Sequence, residues 1–305
     1  MVLGELLLDL LGPVLELLAP YMPGRWFPLY FSRVYLQRPL IAALVVSMVA
    51  GFLGSFLLIR NLALIGDGLA HVSFGAIGIF LVIGMIQPVD GAYLVCILAA
   101  ILIDLAQRHG WLTGDTAIGI ISTGMLGLGL VLFRLYGSDS LTTIDSYLWG
   151  DLNIMPNSLY NEIIFIAVIC YFGLIIFYRS LLAICIDPVA AKIQGIPVEL
   201  ISFCWSILVG LVVVSMVQII GAILVTAMLV TPAAMAQLTS RSFLSTVILA
   251  QVYGVITVLL GLYYSAELGT GSGSMIALVS AILFIVVASA KGLFNFFKAI
   301  NQDTI

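Results

Sequence analysis

Asp67 and His71 lie four residues apart in a stretch of sequence that is otherwise apolar. Side chains at positions i and i+4 project from the same face of an α-helix, so a helix here would place the carboxylate beside the imidazole. An ionisable residue inside a membrane-spanning helix is costly and marks a candidate functional site. A carboxylate and an imidazole together suit a borderline divalent cation such as Mn²⁺, Zn²⁺ or Fe²⁺. The spacing therefore indicates a site that binds a divalent metal ion.

Two other roles stay open for this pair on the residues alone. One is a structural ion pair between Asp67 and a protonated His71 that holds two helices together, and the other is a proton relay. A single chain supplies only two good ligands at this depth, which is too few for a transition-metal site. A dimer with two such helices around a shared axis would supply four. Gly75 and Gly78 continue the same face and would let another helix approach closely.

A second segment, residues 186–197, carries the signals of a short helix between two apolar stretches. Asp187 is a candidate N-cap, Pro188 suits the first helical turn, and Gly195 can end the helix. Ala191 lies in its middle. The segment is either a plain surface loop or a knob that docks into a cytoplasmic partner.

The composition places both segments in a membrane protein. Hydrophobic residues make up 63% of the 305 residues and charged residues 9%, against about 45–50% and about 25% in soluble domains. Such a chain cannot cover a water-exposed surface, so we expect an all-α, polytopic bundle of transmembrane helices. This excludes a soluble enzyme, a secreted disulfide scaffold and a nucleic-acid-binding domain. The four cysteines form no CxxC pair and are expected to be packing residues: Cys96, Cys170, Cys185 and Cys204.

A membrane span needs about 20 apolar residues, and nine stretches qualify. The 62–84 stretch is interrupted by Asp67 and His71, and the 199–238 run has no charged loop inside it, only a turn near Gln218 and Gly221, so eight spans remain possible. The nine stretches are 39–59, 62–84, 91–108, 115–135, 158–178, 199–217, 219–238, 244–264 and 273–290.

Residues 1–38 are predicted to form an interfacial amphipathic segment, followed by a transmembrane domain over 39–298 and a cytoplasmic tail over 299–305. Three acids fall on one side of a helical wheel whose remainder is mostly Leu, which is typical of a helix lying in the membrane surface, with a break at Gly12-Pro13. They are Glu5, Asp9 and Glu16. Because this stretch lacks a basic start, no signal peptide is expected. The aromatic and basic residues that follow suit the headgroup level.

The distribution of Lys and Arg predicts the orientation. If the 179–198 loop is cytoplasmic and all nine spans exist, seven basic residues lie inside and four outside, in agreement with the excess of positive charge found in cytoplasmic loops. The inner set is Arg60, Arg108, Arg179, Lys192, Arg241, Lys291 and Lys298, and the outer set is Arg25, Arg33, Arg38 and Arg134. The C-terminus is then inside and the N-terminal helix outside.

Several other residues receive simpler predictions. Asp104 and Arg108 are expected to pair at the membrane edge, Asp115 to cap a helix, and His109 to lie in a loop. Glu267 and residues 269–274 form an outer loop that either contacts a binding protein or is a plain turn. Gly124, Gly127 and Gly129 indicate close helix packing.

The sequence contains no GxxxxGK[ST] phosphate-binding loop, no HExxH and no GxSxG. The chain is therefore not expected to hydrolyse ATP or to act as an enzyme. A gradient-driven secondary transporter or channel is an alternative that needs no partner chains, but its inverted repeats with broken helices are not found.

Six segments in a fixed order resemble the permease subunits of the zinc/manganese/iron ABC importers and together cover about 39–290. They are RNLALIGDGLAH, DTAIGIISTGMLGLGLVLF, SYLWGDL, DPVAAKIQGIP, IIGAILVTAMLVTPAAMAQL and GLYYSAELGTGSG. The sequence departs from the family pattern at Ala70, where Ser is frequent, and in the length of residues 1–38.

The resemblance implies a dimeric permease in a prokaryotic cell membrane. Asp67 and His71 would form the metal site, and Asp187–Gly195 would be the coupling helix seated on the ATPase. It further implies a second permease chain, identical or not, a cytoplasmic ATP-binding subunit and an extracytoplasmic metal-binding protein. No tightly bound cofactor is implied, because the metal ion is the transported substrate and ATP binds the partner subunit.

Overall fold

A computed structural model describes residues 3–84, 88–136, 155–222 and 225–302, and every regular element in these ranges is helical. The prediction of an all-α protein is confirmed. The segment SYLWGDL at 146–152 lies outside the described residues. The helices are α1 Leu3–Leu18, α2 Leu29–Ser32, α3 Val34–Ile59, α4 Ile65–Ile83, α5 Pro88–Arg108, α6 Gly114–Tyr136, α7 Asn157–Ile186, α8 Pro188–Ile193, α9 Val198–Ile220, α10 Val225–Thr239, α11 Phe243–Leu268 and α12 Ser272–Gln302.

Eight helices in the described ranges are long and apolar enough to cross a membrane, so this is an integral multi-pass membrane protein. They are α3 to α7, α9, α11 and α12. The α12 helix runs to Gln302 and thus continues past the predicted boundary between span and tail at residue 298.

The predicted span over 219–238, the seventh of the nine stretches, corresponds to α10, which has 15 residues. Gln218, near the end of α9, donates a 2.9 Å hydrogen bond to the Tyr93 hydroxyl near the start of α5. The ring of Phe243, at the start of α11, lies 4.9 Å from the ring of Phe56. Phe56 is near the C-terminal end of α3, at the end of the bundle opposite to Tyr93. Because α9 ends and α11 begins at opposite ends of the bundle, α10 must cross between them. At 1.5 Å per residue its helical part covers about 22 Å.

The boundary between α9 and α10 differs from the predicted one. Gln218 lies inside α9, and the helix ends at Ile220 with Gly221 at φ 85°. This backbone conformation is strained for any residue with a Cβ. The helix therefore ends before Gly221 and not at Gln218. The span predicted over 219–238 therefore begins at Val225 as a helix.

Glycines set the closest helix contacts. A Cβ at Gly54 would meet the carbonyl oxygen of Leu229 in α10, and one at Gly75 would meet that of Met125 in α6. Among the three glycines that were expected to pack in α6, only Gly129 does so, against Phe74 and Gly75. Gly124 and Gly127 have no neighbour within 4 Å of the added Cβ, so the prediction was wrong for these two.

The N-terminal helix α1 packs against α7 and α3 with Gly4 and Gly12 buried, and it continues through Pro13 without the expected break. A proline removes one backbone hydrogen bond, and this loss is offset by the packing of the residues around it. The acids of α1 are exposed, as the wheel predicts. The assignment of residues 1–38 to the membrane surface stays a prediction.

Candidate functional site

Asp67 and His71 lie on the first two turns of α4, which begins at Ile65, three residues later than the predicted span. The His71 Nε2 atom is 3.5 Å from the Asp67 Oδ2 atom. The side chain of Asp67 is 45% exposed and that of His71 25%. The i,i+4 spacing thus brings the carboxylate and the imidazole together on one partly open face, as predicted.

The contacts of Gly66 and Gly68, on either side of Asp67, show which helices lie next to the pair. Gly66 faces Leu229 and Val225 of α10, and Gly68 faces Ile118 of α6. Since Asp67 lies between them in the sequence, the pair opens between α6 and α10. Among the described residues this face is only partly covered, since Asp67 stays 45% and His71 25% exposed.

The pair has unused binding capacity. The Nδ1 atom of His71 is buried and has no hydrogen-bond partner. A buried nitrogen without a partner is costly and calls for an explanation such as a water or an ion. In the part of the chain that the structure describes, no three or more His, Cys, Asp or Glu side chains come together as a metal cluster. The described part of one chain thus offers a carboxylate and an imidazole at this site.

The segment that leads into α4 is a turn with an unusual backbone. Asn61 has φ 55°, which makes it the one positive-φ residue other than glycine among the described residues. Asparagine tolerates this left-handed conformation better than most residues. The turn at residues 60–64 therefore joins α3 to α4 at a defined angle.

The short helix α8 has the predicted signals. The Asp187 Oδ1 atom accepts hydrogen bonds from the backbone amides of Val189 at 2.8 Å and Ala190 at 3.0 Å. Pro188 is the first residue of the helix, and Gly195 follows it with φ 82°. An aspartate N-cap, a proline in the first turn and a left-handed glycine beyond the end together delimit the helix.

The two faces of α8 differ sharply. Ala191 is 1% exposed and points into the bundle, whereas Val189 is 69% and Ile193 82% exposed. Ala191 therefore anchors the helix from within and offers no side chain to a partner. The outer face that could contact a partner is formed by Val189 and Ile193 together with the exposed Lys192.

A cavity of about 670 Å³ lies next to α8. Its walls include Arg108 and His109 at the end of α5, and Pro188, Lys192 and Ile193 of α8. The exposed His109 lies in the turn after α5, as expected, with its Nδ1 atom 2.9 Å from the Leu105 carbonyl oxygen. The end of α5 is thus a neighbour of the short helix.

Asp104 forms an ion-pair cluster with two arginines, of which only Arg108 was predicted from the sequence. The Arg108 guanidinium lies 2.6 Å from Asp104 Oδ2, as the spacing indicated, and Arg60 lies 3.4 Å from Asp104 Oδ1. The Arg60 guanidinium also lies 5.9 Å from the ring centre of Trp205 in α9. Arg60 and Asp104 are 44 residues apart, so no local spacing reveals their contact. The only hint in the sequence was that Arg60 and Asp104 are both charged residues beside apolar stretches.

The expected cap at Asp115 was wrong. The backbone amide of Thr116 donates to Thr113 Oγ1 at 3.3 Å, so Thr113 is the capping side chain, and Asp115 lies inside the first turn of α6. A threonine hydroxyl satisfies the same orphan amide that an aspartate would. The four cysteines are free, with Cys96 and Cys170 buried, in agreement with the predicted packing role.

The described residues form a multi-pass helical membrane protein with a carboxylate and an imidazole paired in one span, features that are typical of a membrane transport subunit. The sequence profile of the ABC 3 transport family matches residues 32–291. The chain belongs to the ABC 3 transport family.

Two relatives and one solved structure describe this similarity. The manganese transport system membrane protein MntC of Listeria monocytogenes is 33% identical over 252 residues, which cover 83% of this chain and 89% of that protein. The chelated iron transport system membrane protein YfeD of Yersinia pestis is 27% identical over 272 residues, 89% of both chains. The structure of PsaBC from Streptococcus pneumoniae in complex with Fab has a TM-score of 0.75 and 30% identity, covering 86% of this chain and 94% of that chain.

Proposed function

We propose that this chain is the membrane-spanning permease subunit of an ATP-driven importer of divalent transition metal ions, with manganese, zinc and iron as the candidate substrates. The proposal rests on the site formed by Asp67 and His71. The names of the relatives, which transport manganese and chelated iron, point to the same class of substrate.

The separation of the two side chains supports ion binding. Two ligand atoms that each lie about 2.1 Å from one ion in tetrahedral geometry are about 3.4 Å apart. The Nε2 and Oδ2 atoms of His71 and Asp67 are 3.5 Å apart, which is longer than a charge-assisted hydrogen bond of about 2.7–2.9 Å. An ion can therefore bind between the two side chains with little movement of either.

The exposure of the pair supports a site shared by two chains. A transition-metal site with one carboxylate and one imidazole is incomplete, and this face is open between α6 and α10. A second permease chain, identical or related, that contacts this face would add the missing ligands. The site then exists only in the assembled dimer.

ATP must be bound and hydrolysed by another chain, because this sequence has no phosphate-binding loop. The outer face of α8, with Val189, Lys192 and Ile193 exposed, is the contact that we assign to a cytoplasmic ATPase. An extracytoplasmic metal-binding protein would deliver the ion to the opposite side. In this assembly α8 is the coupling helix, delimited by Asp187, Pro188 and Gly195 and anchored by Ala191.

The function is tested by reconstituting the chain with its ATPase and binding protein in liposomes and measuring uptake of Mn²⁺, Zn²⁺ and Fe²⁺ separately. ATP-dependent accumulation of at least one ion, absent with a non-hydrolysable nucleotide, is expected. Uptake that runs without an ATPase, driven by a proton or sodium gradient, would instead identify a secondary transporter.

A further inference from the structure

The ion-pair cluster of Arg60, Asp104 and Arg108 joins parts of the protein that are far apart in the sequence. Arg60 precedes the turn that leads into α4, while Asp104 and Arg108 belong to the last turns of α5. Trp205 adds α9 through the face of its ring, to which the Arg60 guanidinium is 5.9 Å distant. The carboxylate therefore connects the end of α3 to α5, and Arg60 extends the cluster to α9 at the same end of the bundle.

The environment makes these contacts firm. Asp104 is buried, and the side chains of Arg60 and Arg108 are largely shielded from solvent. Charges in such surroundings attract one another much more strongly than they do in water. A guanidinium presents its donors in a fixed fork, so it also fixes direction. The carboxylate of Asp104 thus holds both arginines in defined places.

The cluster lies between the two parts that an ATP-driven importer must connect. On one side Arg108 lines the cavity of about 670 Å³ beside Lys192 and Ile193 of α8. On the other side Arg60 is followed directly by the positive-φ residue Asn61, and the helix that begins at Ile65 carries Asp67. Coupling between distant sites is carried by such connected networks of ion pairs and helices.

We propose that Asp104 is a positioning residue for transport: by binding Arg60 and Arg108 at once, it fixes the turn at residues 60–64, and with it the first turn of α4, to the end of α5 beside the coupling helix. This inference rests on the proposed function. A movement that the ATPase imposes on α8 and its surroundings then reaches the helix that carries the ion-binding pair.

The experiment follows the turn itself and needs no transported ion. Leu64 is exposed at the end of the turn. In the complete complex with Cys185 and Cys204 replaced by serine, the reactivity of Leu64→Cys with a thiol reagent is measured with and without ATP. We expect ATP to change the rate in the otherwise unmodified complex. Asp104→Asn should remove most of this change, because the turn then loses the carboxylate that joins it to α5.

Two comparisons separate positioning from folding. Asp104→Glu keeps the charge and should restore most of the response, and Asp115→Asn removes an exposed carboxylate at the same end and should leave it unaltered. If Asp104→Asn does not assemble, Arg60→Lys, which keeps the charge but loses the fork, should give an intermediate response. An ATP response that is absent from the parent complex, or that persists in full in Asp104→Asn or in Arg60→Lys, overturns the proposal, as does loss of assembly in both of these two variants.

The result is independent of the metal site. Reactivity at position 64 reports movement of the turn whether or not Asp67 and His71 bind an ion, and the uptake assay tests that binding by itself. A normal labelling response without metal uptake would contradict the proposed substrate and leave the role of Asp104 in place.

Discussion

The carboxylate of Glu267 accepts a hydrogen bond of 2.7 Å from the backbone amide of Trp26, 241 residues away in the sequence. The amide of Phe27 donates to the same oxygen atom at 3.0 Å, and the Phe27 ring packs edge-on against Tyr263 at 5.4 Å. The end of α11 therefore holds the segment that joins α1 to α3. From the sequence, Glu267 was expected either to contact a binding protein or to be part of a plain turn. Its observed contact is a different one, with the backbone of residues 26 and 27 of the same chain.

Replacing Glu267 with alanine should release this segment. The amides of Trp26 and Phe27 would lose their acceptor, and the chain around Arg25 would become more accessible. We expect trypsin, added to the outer side of oriented vesicles, to cleave after Arg25 several times faster than in the unmodified protein. Glu16→Ala, which removes an exposed carboxylate from α1, is the matched control. Equal cleavage rates in all three proteins would show that Glu267 does not hold this segment in place.

The outer face of α8 should bind the ATPase. Ile193→Glu places a charge on the most exposed apolar side chain of this helix and does not alter the cap at Asp187. We expect the amount of ATPase recovered with the permease from detergent to fall by about tenfold, a loss of about 1.4 kcal/mol in binding free energy.

A control within the same helix distinguishes docking from folding. Because Ala191 is buried, Ala191→Trp should displace the helix and lower the yield of folded permease, whereas Ile193→Glu should leave the yield unchanged. ATPase recovery at the normal level with Ile193→Glu would show that the docking surface lies elsewhere.

Features that depend on one helical turn could be predicted from the sequence. Asp187 caps α8, Asp104 meets Arg108, and Asp67 faces His71. Side chains three or four positions apart are neighbours in any helix, and an N-cap side chain reaches the backbone amides two or three positions further on. The order of the long helices follows for a similar reason, since a run of about 20 apolar residues predicts a span without knowledge of its neighbours.

Features that depend on which helices meet could not be predicted. The contact of Arg60 with Asp104 and the contact of Glu267 with Trp26 join residues separated by 44 and 241 positions. Periodicity also does not say which face of α8 is buried, and so Ala191 could be placed in the helix but not assigned to its inner side. The glycines of α6 show the same limit, because only Gly129 happens to face α4.

Gly75 should be among the least replaceable residues of the bundle. A Cβ at this position meets the backbone of Met125, which cannot move aside as a flexible side chain can. We expect Gly75→Val to destabilise the packing of α4 on α6 by about 1–3 kcal/mol and to lower the thermal unfolding temperature in detergent. Gly124→Val, a change of the same size on an open face of α6, should have little effect. Similar losses for both variants would mean that helix propensity, and not the contact, is responsible.

Asp67→Ala should abolish uptake without affecting insertion. In a dimer of identical chains the substitution removes two of the four proposed ligands, while an apolar side chain inside a span favours insertion. We expect uptake to fall by at least about tenfold with unchanged amounts of permease in the membrane. Asp9→Asn on the exposed face of α1 serves as the control. Uptake at the normal rate would rule out Asp67 as a metal ligand.

Access to the site should depend on the state of the ATPase. Asp67 and His71 lie about 3 Å and 9 Å along α4 from its first residue, at 1.5 Å per residue, and both are partly exposed in a single chain. In the dimer the second chain would cover this face, so solvent would reach the pair only when the helices separate on one side.

We expect cysteines at positions 67 and 71 to react slowly with a membrane-impermeant thiol reagent added outside at rest, and at a different rate with ATP and the ATPase. Arg38→Cys, near the end of α3 that is predicted to face outside, should react readily in both states. Rapid labelling from outside at 67 and 71 in both states would indicate an open pore, because a gated site cannot be reached continuously from one side, and a channel would then describe the protein better than an ATP-driven permease.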